Sequence, residues 1–384
     1  MKPKTKAVAT TAMFLAVLTG LSVANWLWPE KDFSENENRS LQTLPEFSAE
    51  KLFSGKYTSQ FETYTTDQFI GRDYWVSMKT SADRVTQKKD SGGVYFAEDG
   101  YLIEVYREED VDWEQFQRNV DRLNEFLTSA EQTLGQGHAS AMIVPTAGEV
   151  LRDKLPAFAP SADQKKMLEQ MENTLPAGSF VNLLPVLSEH KEDSIYYHTD
   201  HHWTTYGAFL AYQQWAESMG ITPLSQEDYE IKTVTESFYG TTYSKANDLG
   251  AKPDSIQVYL PKETQSVTLE INSGKETQEF NSLYVDSYLE KKDKYSYFLG
   301  GNNPVDTIHT GVNNGRKLLI VKDSYAHCFA PFLTSHFEEI TLVDLRYFRK
   351  GMKEYMEENG FTDVLVLYNL QGFADDKNMG TLVK

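Results

Sequence analysis

"KLLIVKDSYAHCFAPFL", residues 317–333, decides how the rest of the chain is read. Its first five residues form an apolar run of strand length, Lys322-Asp323-Ser324 breaks that run, and "YAHCFAPFL" then reads as a helix up to Pro331. Ser324 is thereby expected at a strand-to-helix turn, its hydroxyl exposed and backbone N–H groups of the helix start close by to meet a developing oxyanion. An Asp-Ser pair after a strand is weak by itself, because serine also caps helices.

Two further apolar runs follow, "EITLVD" (339–344) and "DVLVLY" (363–368), separated by helix-like segments. The alternation predicts an α/β fold with a mostly parallel, doubly wound sheet and helices on both faces. In such sheets ligands bind beyond the carboxyl ends of the strands, so Ser324, Arg346 and Asn369 become candidates by position. Arg346, Asn369 and Tyr325 are expected to bind substrate or the oxyanion; a loop ion pair or a turn accounts for the first two equally well. Upstream, "GVYFAEDGYLIEVY" predicts a hairpin around Glu98-Asp99-Gly100, Val111 to Leu127 recur at helical spacing, and "ASAMIVPT" reads as a buried strand. Residues 225–315 read as a β-rich insertion or lid, with a hairpin at Asn272-Ser273-Gly274.

A serine needs a hydrogen-bonded base whose tautomer is fixed by a third group. "YYHTDHHWTTYGAF" (196–209) offers both in Asp200, His201 and His202. We assign His202 as general acid/base and Asp200 as its orienting carboxylate, the residues after them entering a helix that Thr204 or Thr205 caps. A zinc site of His198, His201, His202 and Asp200 is the rival reading, though no Cys ligand or Glu-x-x-His pattern supports it. No cofactor and no metal are expected. His327 and Cys328 read as packing residues.

The formal net charge of -19 argues against nucleic acid or another polyanion as partner, since polyanion binding needs basic patches. The single cysteine rules out an intrachain disulfide. At the N-terminus Lys2, Lys4 and Lys6 precede "AVATTAMFLAVLTGLSVANWL", 21 residues without charge. That is the length of a membrane-crossing helix, with Trp26 and Trp28 as interfacial aromatics and the lysines on the cytoplasmic side. Ser22-Val23-Ala24 also suits cleavage of a signal peptide, which would give a secreted protein. The expected organisation is an anchor at 1–29, a polar linker at 30–65 and a folded extracytoplasmic domain at 66–384.

These residues taken together resemble the bacterial DHHW family, named for the four residues that stand here as Asp200-His201-His202-Trp203. The resemblance runs through "DQFIGRDYW" (67–75), "VYFAEDGYLIE", "VPTAGEV", "DKLP", "HTDHHWTTYGA", "KDSYAHCFAPFL" and "DLRYF". More distantly the chain is similar to the SGNH-hydrolase-like proteins of alginate O-acetylation. That likeness implies an SGNH-hydrolase-like fold and a trio of Asp200, His202 and Ser324. It also implies acyl groups supplied by a multi-spanning membrane O-acyltransferase and placed on a cell-envelope polysaccharide. The chain departs from that pattern where the usual Gly-Asp-Ser block reads Lys322-Asp323-Ser324, which removes a glycine N–H from the oxyanion hole. The function expected is serine O-acyl transfer, most simply of acetyl, or ester hydrolysis. A non-catalytic glycan-binding scaffold is the alternative.

Overall fold

The computed structural model of the protein describes residues 3–34, 39–263 and 266–384, which form two compact units: Met1–Gln87 with Ala246–Leu249, and Lys88–Lys245 with Gly250–Lys384. In the first, helix α1 (Pro3–Leu27) has a stretch of mean hydropathy 1.9 within Lys4–Leu27, long and apolar enough to cross a membrane or to be a signal sequence. Lys4 and Lys6 lie in this helix; Lys2 lies outside the described residues.

The stretch expected as a linker carries helices at Ala49–Phe53 and Lys56–Asp67, while residues 35–38 lie outside the described residues. Ser48 caps the first helix by accepting from the Lys51 N–H at 3.1 Å. Tyr57, Phe61 and Tyr64 recur at helical spacing along the second, their rings 6.0 and 5.9 Å apart, a periodicity masked by the polar residues between them. Helix Arg72–Val85 belongs to this unit as well, where Asn247 donates to the Asp73 carbonyl at 2.7 Å and Arg84 pairs with Asp248 at 2.5 Å.

The second unit is built on a seven-stranded sheet. In chain order its strands are β1 (Ala139–Val144), β2 (Val267–Asn272), β3 (Thr277–Phe280), β4 (Val305–Thr310), β5 (Lys317–Lys322), β6 (Glu339–Val343) and β7 (Asp363–Asn369). Their spatial order is β3-β2-β4-β6-β5-β7-β1. The strands β6, β5, β7 and β1 pair in parallel, whereas β4 joins β6 antiparallel and β2 and β3 continue antiparallel. The sheet is therefore mixed, parallel in one half only, and this corrects the expectation of a mostly parallel one. The cause lies in the expected insertion. Its hairpin around Asn272-Ser273-Gly274 is present, but as the β2–β3 edge of the main sheet rather than a separate lid. Strand β2 buries only alternate residues and β3 buries none, so both lack the continuous apolar runs that mark the parallel strands.

Helices α2 (Trp113–Leu134), α3 (Gln164–Thr174), α4 (Thr205–Ser218) and α5 (Met352–Asn359) cover the sheet on both faces. Leu319, Val321, Val364 and Val366 belong to one core with residues of α2, α3 and α5. Leu318, Ile320, Leu365 and Leu367 belong to the opposite core with residues of α4 and of the segment after Ser324. Alternate strand residues thus face opposite cores. Asp112 starts α2 by accepting from the Gln115 N–H, and Thr204 starts α4 by accepting from Gly207. Beside this body, Tyr229–Phe238 pairs antiparallel with Asp254–Pro261.

Candidate active site

At the carboxyl end of β5 the chain turns sharply at Ser324, and a short helix, Ala326–Phe329, continues as a 3-10 segment through Ser335. Asp323 fixes this turn. Its Oδ1 accepts from the Tyr325 N–H at 2.9 Å, and its Oδ2 accepts from the backbone and side-chain N–H groups of Asn369 at 2.7 and 2.6 Å. Burial pushes the Asp323 carboxyl up to about 6, against the pull of those N–H donors and of Arg346. The ends of β5 and β7 are in this way tied together under Ser324.

A second segment brings up the histidines. Residues 195–204 fold back on themselves, with Thr204 N–H donating to the Ile195 carbonyl at 2.8 Å and Tyr196 bridged to Trp203. Trp203 is fully buried; its Nε1–H donates to the Tyr325 carbonyl at 3.0 Å, and its ring packs against Tyr325 and Phe329. The Tyr325 hydroxyl returns the contact by donating to the His201 carbonyl at 2.5 Å. These two bonds dock the histidine segment on the serine turn.

The docking leaves His202 Nε2 at 2.7 Å from Ser324 Oγ and His202 Nδ1 at 2.5 Å from Asp200 Oδ1. Asp200 is buried and accepts two further bonds on Oδ2, from the Thr241 N–H at 2.7 Å and the Thr241 hydroxyl at 2.9 Å. Burial pushes the Asp200 carboxyl up, but the adjacent His202 and His201 and the N–H donors outweigh it and hold it well below the usual carboxylate range. For His202, burial and then His201 lower the imidazole below its ordinary value, against the raising effect of Asp200. An ionised Asp200 accepts only, so His202 carries its proton on Nδ1 and presents a lone pair on Nε2 to the serine. The ring lies flat on Tyr295, with centroids 3.8 Å apart and planes at 11°.

The same donor logic sets His201. The Thr241 hydroxyl spends its proton on Asp200, so the 2.6 Å contact between His201 Nδ1 and Thr241 Oγ1 is a donation from Nδ1–H. One carboxylate thus orients two imidazoles, His202 directly and His201 through Thr241. Asp200, His201 and His202 also offer ligand atoms within 4.8 Å of one another, a spacing a divalent cation could use. Both nitrogens of His202 are already engaged, so a metal would have to displace Ser324 or Asp200 from that ring.

Arg346, Asn369 and Tyr325 fall elsewhere than at the serine hydroxyl. Arg346 clasps Asp344 through Nε at 2.9 Å and Nη2 at 2.5 Å, and reaches Asn302 at 3.0 Å. Asn369 spends its amide N–H on Asp323, and its carbonyl oxygen accepts from Gly372 N–H at 2.8 Å, capping the helix Leu370–Asp375. Tyr325 is buried as a docking residue. Lys322, which stands where a glycine was expected, is buried with Nζ 2.7 Å from His327 Nε2 and 3.8 Å from Asp344. Burial and the neighbouring Lys322 hold His327 well below the ordinary histidine value, so its Nε2 accepts from the lysine. Burial pushes the Cys328 thiol up to about 12, a packed, unreactive group.

Sequence reasoning missed Gly240 and Thr241. A Cβ on Gly240 would come within 2.2 Å of Asp200, so only glycine lets that carboxylate reach the Thr241 N–H. Their signal, a Gly-Thr pair just after an apolar strand end, is common and carries no chemistry by itself.

No curated protein sequence matches the chain. Among solved structures it is similar to a DHHW family protein from Eubacterium siraeum, at 29% identity over 76% of this chain and 95% of that one, with a TM-score of 0.62. It is similar in fold to Bacillus cereus PatB1, solved with a sulfonyl adduct, at 19% identity over 76% of this chain and 100% of that one, TM-score 0.62. The O-acetyltransferase domain of Pseudomonas putida AlgJ lies further off, at 14% identity over 75% of this chain and 95% of that one, TM-score 0.42. The DHHW protein family model matches residues 105–343, more than half of the 384, and takes in the Asp-His-His-Trp segment as well as Ser324. The chain belongs to the DHHW protein family.

Proposed function

We propose that the protein is a serine-dependent O-acyltransferase or esterase, handling acetyl esters of a cell-envelope polysaccharide on the outer side of the membrane. The observation that carries this reading is the continuous chain from Asp200 through His202 to Ser324, at 2.5 and 2.7 Å, with a neutral imidazole and an ionised carboxylate. These are the requirements for activating a hydroxyl nucleophile.

In the proposed cycle Ser324 Oγ attacks the acyl carbonyl carbon while its proton passes to His202 Nε2. Asp200 stays ionised and steadies the imidazolium. The tetrahedral oxyanion collapses, breaking the bond to the leaving oxygen, which takes the proton from Nε2 and leaves acyl-Ser324. A sugar hydroxyl, or water in the esterase case, then gives its proton to Nε2 and attacks the ester carbon. The new acyl ester, or the free acid in the esterase case, departs as Ser324 Oγ recovers the proton. Of the N–H groups at the turn, Tyr325 N–H is held by Asp323, whereas Ser324 N–H donates to no protein group among the described residues. We assign it to the oxyanion.

The acyl donor in this reading is a multi-spanning membrane O-acyltransferase, with α1 holding the protein beside it; cleavage of α1 would make the protein secreted. The test is mass spectrometry after incubation with a chromogenic acetyl ester. A mass increase of one acetyl on the Ser324 peptide, absent in Ser324→Ala and strongly reduced in His202→Ala, supports the reading. Equal acetylation of wild type and both variants would turn it toward a non-catalytic glycan-binding scaffold.

A further inference from the structure

The segment that delivers His202 to Ser324 has a second use upstream. Residues 192–194, 196–198 and 204–206 line a cleft of about 800 Å³ together with Gln226, residues 253–255, Gln257 and Tyr259, and neither Ser324 nor His202 lines it. That volume is at the upper end of small-ligand pockets. At its wall His198 is held rigidly: Asp254 accepts from its backbone N–H at 2.9 Å and from Nδ1 at 3.1 Å, and the ring stacks on Tyr101 at 3.9 Å. Asp254 also takes the Thr199 N–H and hydroxyl at 2.8 and 2.6 Å, so Nδ1 is the donor toward it, and Nε2 has no protein partner among the described residues.

Other groups in the cleft are equally uncommitted. The exposed amides of Gln226 and Gln257 make no side-chain hydrogen bond among the described residues, and the half-buried ring of Tyr206 lies beside them on the lining. No lysine or arginine lines the cleft, while Glu192, Asp193 and Asp254 do. Lys154 and His190 pair with Glu192 and Asp193 at 2.9 and 2.8 Å without lining it.

We propose that this cleft binds an oligosaccharide that is neutral or amine-bearing, and not a polyuronate or phosphate polymer. Amides, an imidazole nitrogen and tyrosine rings suit sugar hydroxyls and C–H faces, and among the described lining residues no lysine or arginine is there to pair with an anionic sugar. That the bound glycan is the acyl acceptor rests on the function proposed above; the binding itself does not.

The experiment is calorimetry on the full chain carrying Ser324→Ala, which stops turnover. The probes are neutral hexasaccharides (cello-, malto-, manno- and chitohexaose), a glucosamine hexamer, and guluronate and galacturonate hexamers. The expected result is binding of a neutral or amine-bearing member and none of the uronates. Gln226→Ala, Gln257→Ala and His198→Ala should each weaken it by about three- to tenfold. A uronate bound as tightly, a silent panel, or affinity unchanged by all three substitutions overturns the proposal. Gln226 and Gln257 are exposed, so their variants stay informative if His198→Ala fails to fold. Because the assay is free of acyl chemistry, an unreactive Ser324 beside intact glycan binding would fault the proposed function and leave this site standing.

Discussion

Asp200 accepts four hydrogen bonds, two from His202 and two from Thr241, and this count explains the residues around it. Gly240→Ala places a methyl group inside the carboxylate's own volume, so the carboxylate must withdraw. Unfolding should become easier by about 1–3 kcal/mol, and ester turnover should fall with it, as thermal denaturation and an acetyl-ester assay can check. Titration provides a second prediction. Attack by Ser324 needs neutral His202, whose neutral fraction rises with pH, and burial together with His201 holds its pKa down. The acid limb of turnover is therefore expected below the ordinary histidine value of about 6.5. His201→Ala removes one of the two depressing causes, so that limb should move to higher pH with activity largely kept. A limb that stays in place or moves lower would contradict the assignment.

At the scale of elements, Trp203 and the β5 turn carry the alignment. Trp203→Phe keeps an aromatic ring but removes the indole N–H that donates to the buried Tyr325 carbonyl, leaving it the Cys328 thiol at 4.0 Å, an expected loss of about 0.5–1.5 kcal/mol by chemical denaturation. How legible this was follows from what each element looks like in one dimension. Strands β5, β6 and β7 are buried on both faces and read as unbroken apolar runs, so the parallel half of the sheet and the place of Ser324 at its edge were visible. Strands β2, β3 and β4 form the antiparallel half of the sheet, are only partly buried, and their mixed composition hid their membership of it. Asp200 and His202 stand out through the crowding of histidines around an aspartate, Ser324 only through its place after an apolar strand, and the fold brings the three within hydrogen-bond reach. Gly240 and Thr241 lie some forty residues further on, where a loop enters the helix Thr241–Ala246, and gain meaning only once the carboxylate is beside them. Arg346 and Asn369 were found on the right edge of the sheet by strand position, which says nothing of which neighbour their side chains choose; here those are Asp344 and Asp323.

For the whole molecule, α1 and the net charge of -19 bear on where the proposed activity would take place and on which polymers it would act. If α1 is an anchor, the full chain should sediment with membranes and resist alkaline carbonate, and deletion of residues 3–27 should release it. Recovery of the full-length chain in the soluble fraction with its N-terminus cut near Ala24 would show a signal sequence instead. The strong negative charge disfavours anionic polymers at any face of the protein, in keeping with a cleft that lacks cationic lining.

In the proposed function His202, held by Asp200, activates Ser324. The most direct measurement is the rate at which phenylmethylsulfonyl fluoride labels Ser324 at neutral pH, read by peptide mass spectrometry in wild type, His202→Ala and His201→Ala. The account predicts labelling confined to Ser324, slowed by at least about a hundredfold in His202→Ala and within a few-fold of wild type in His201→Ala. Labelling that is unaffected by His202→Ala, or abolished by His201→Ala instead, would contradict it.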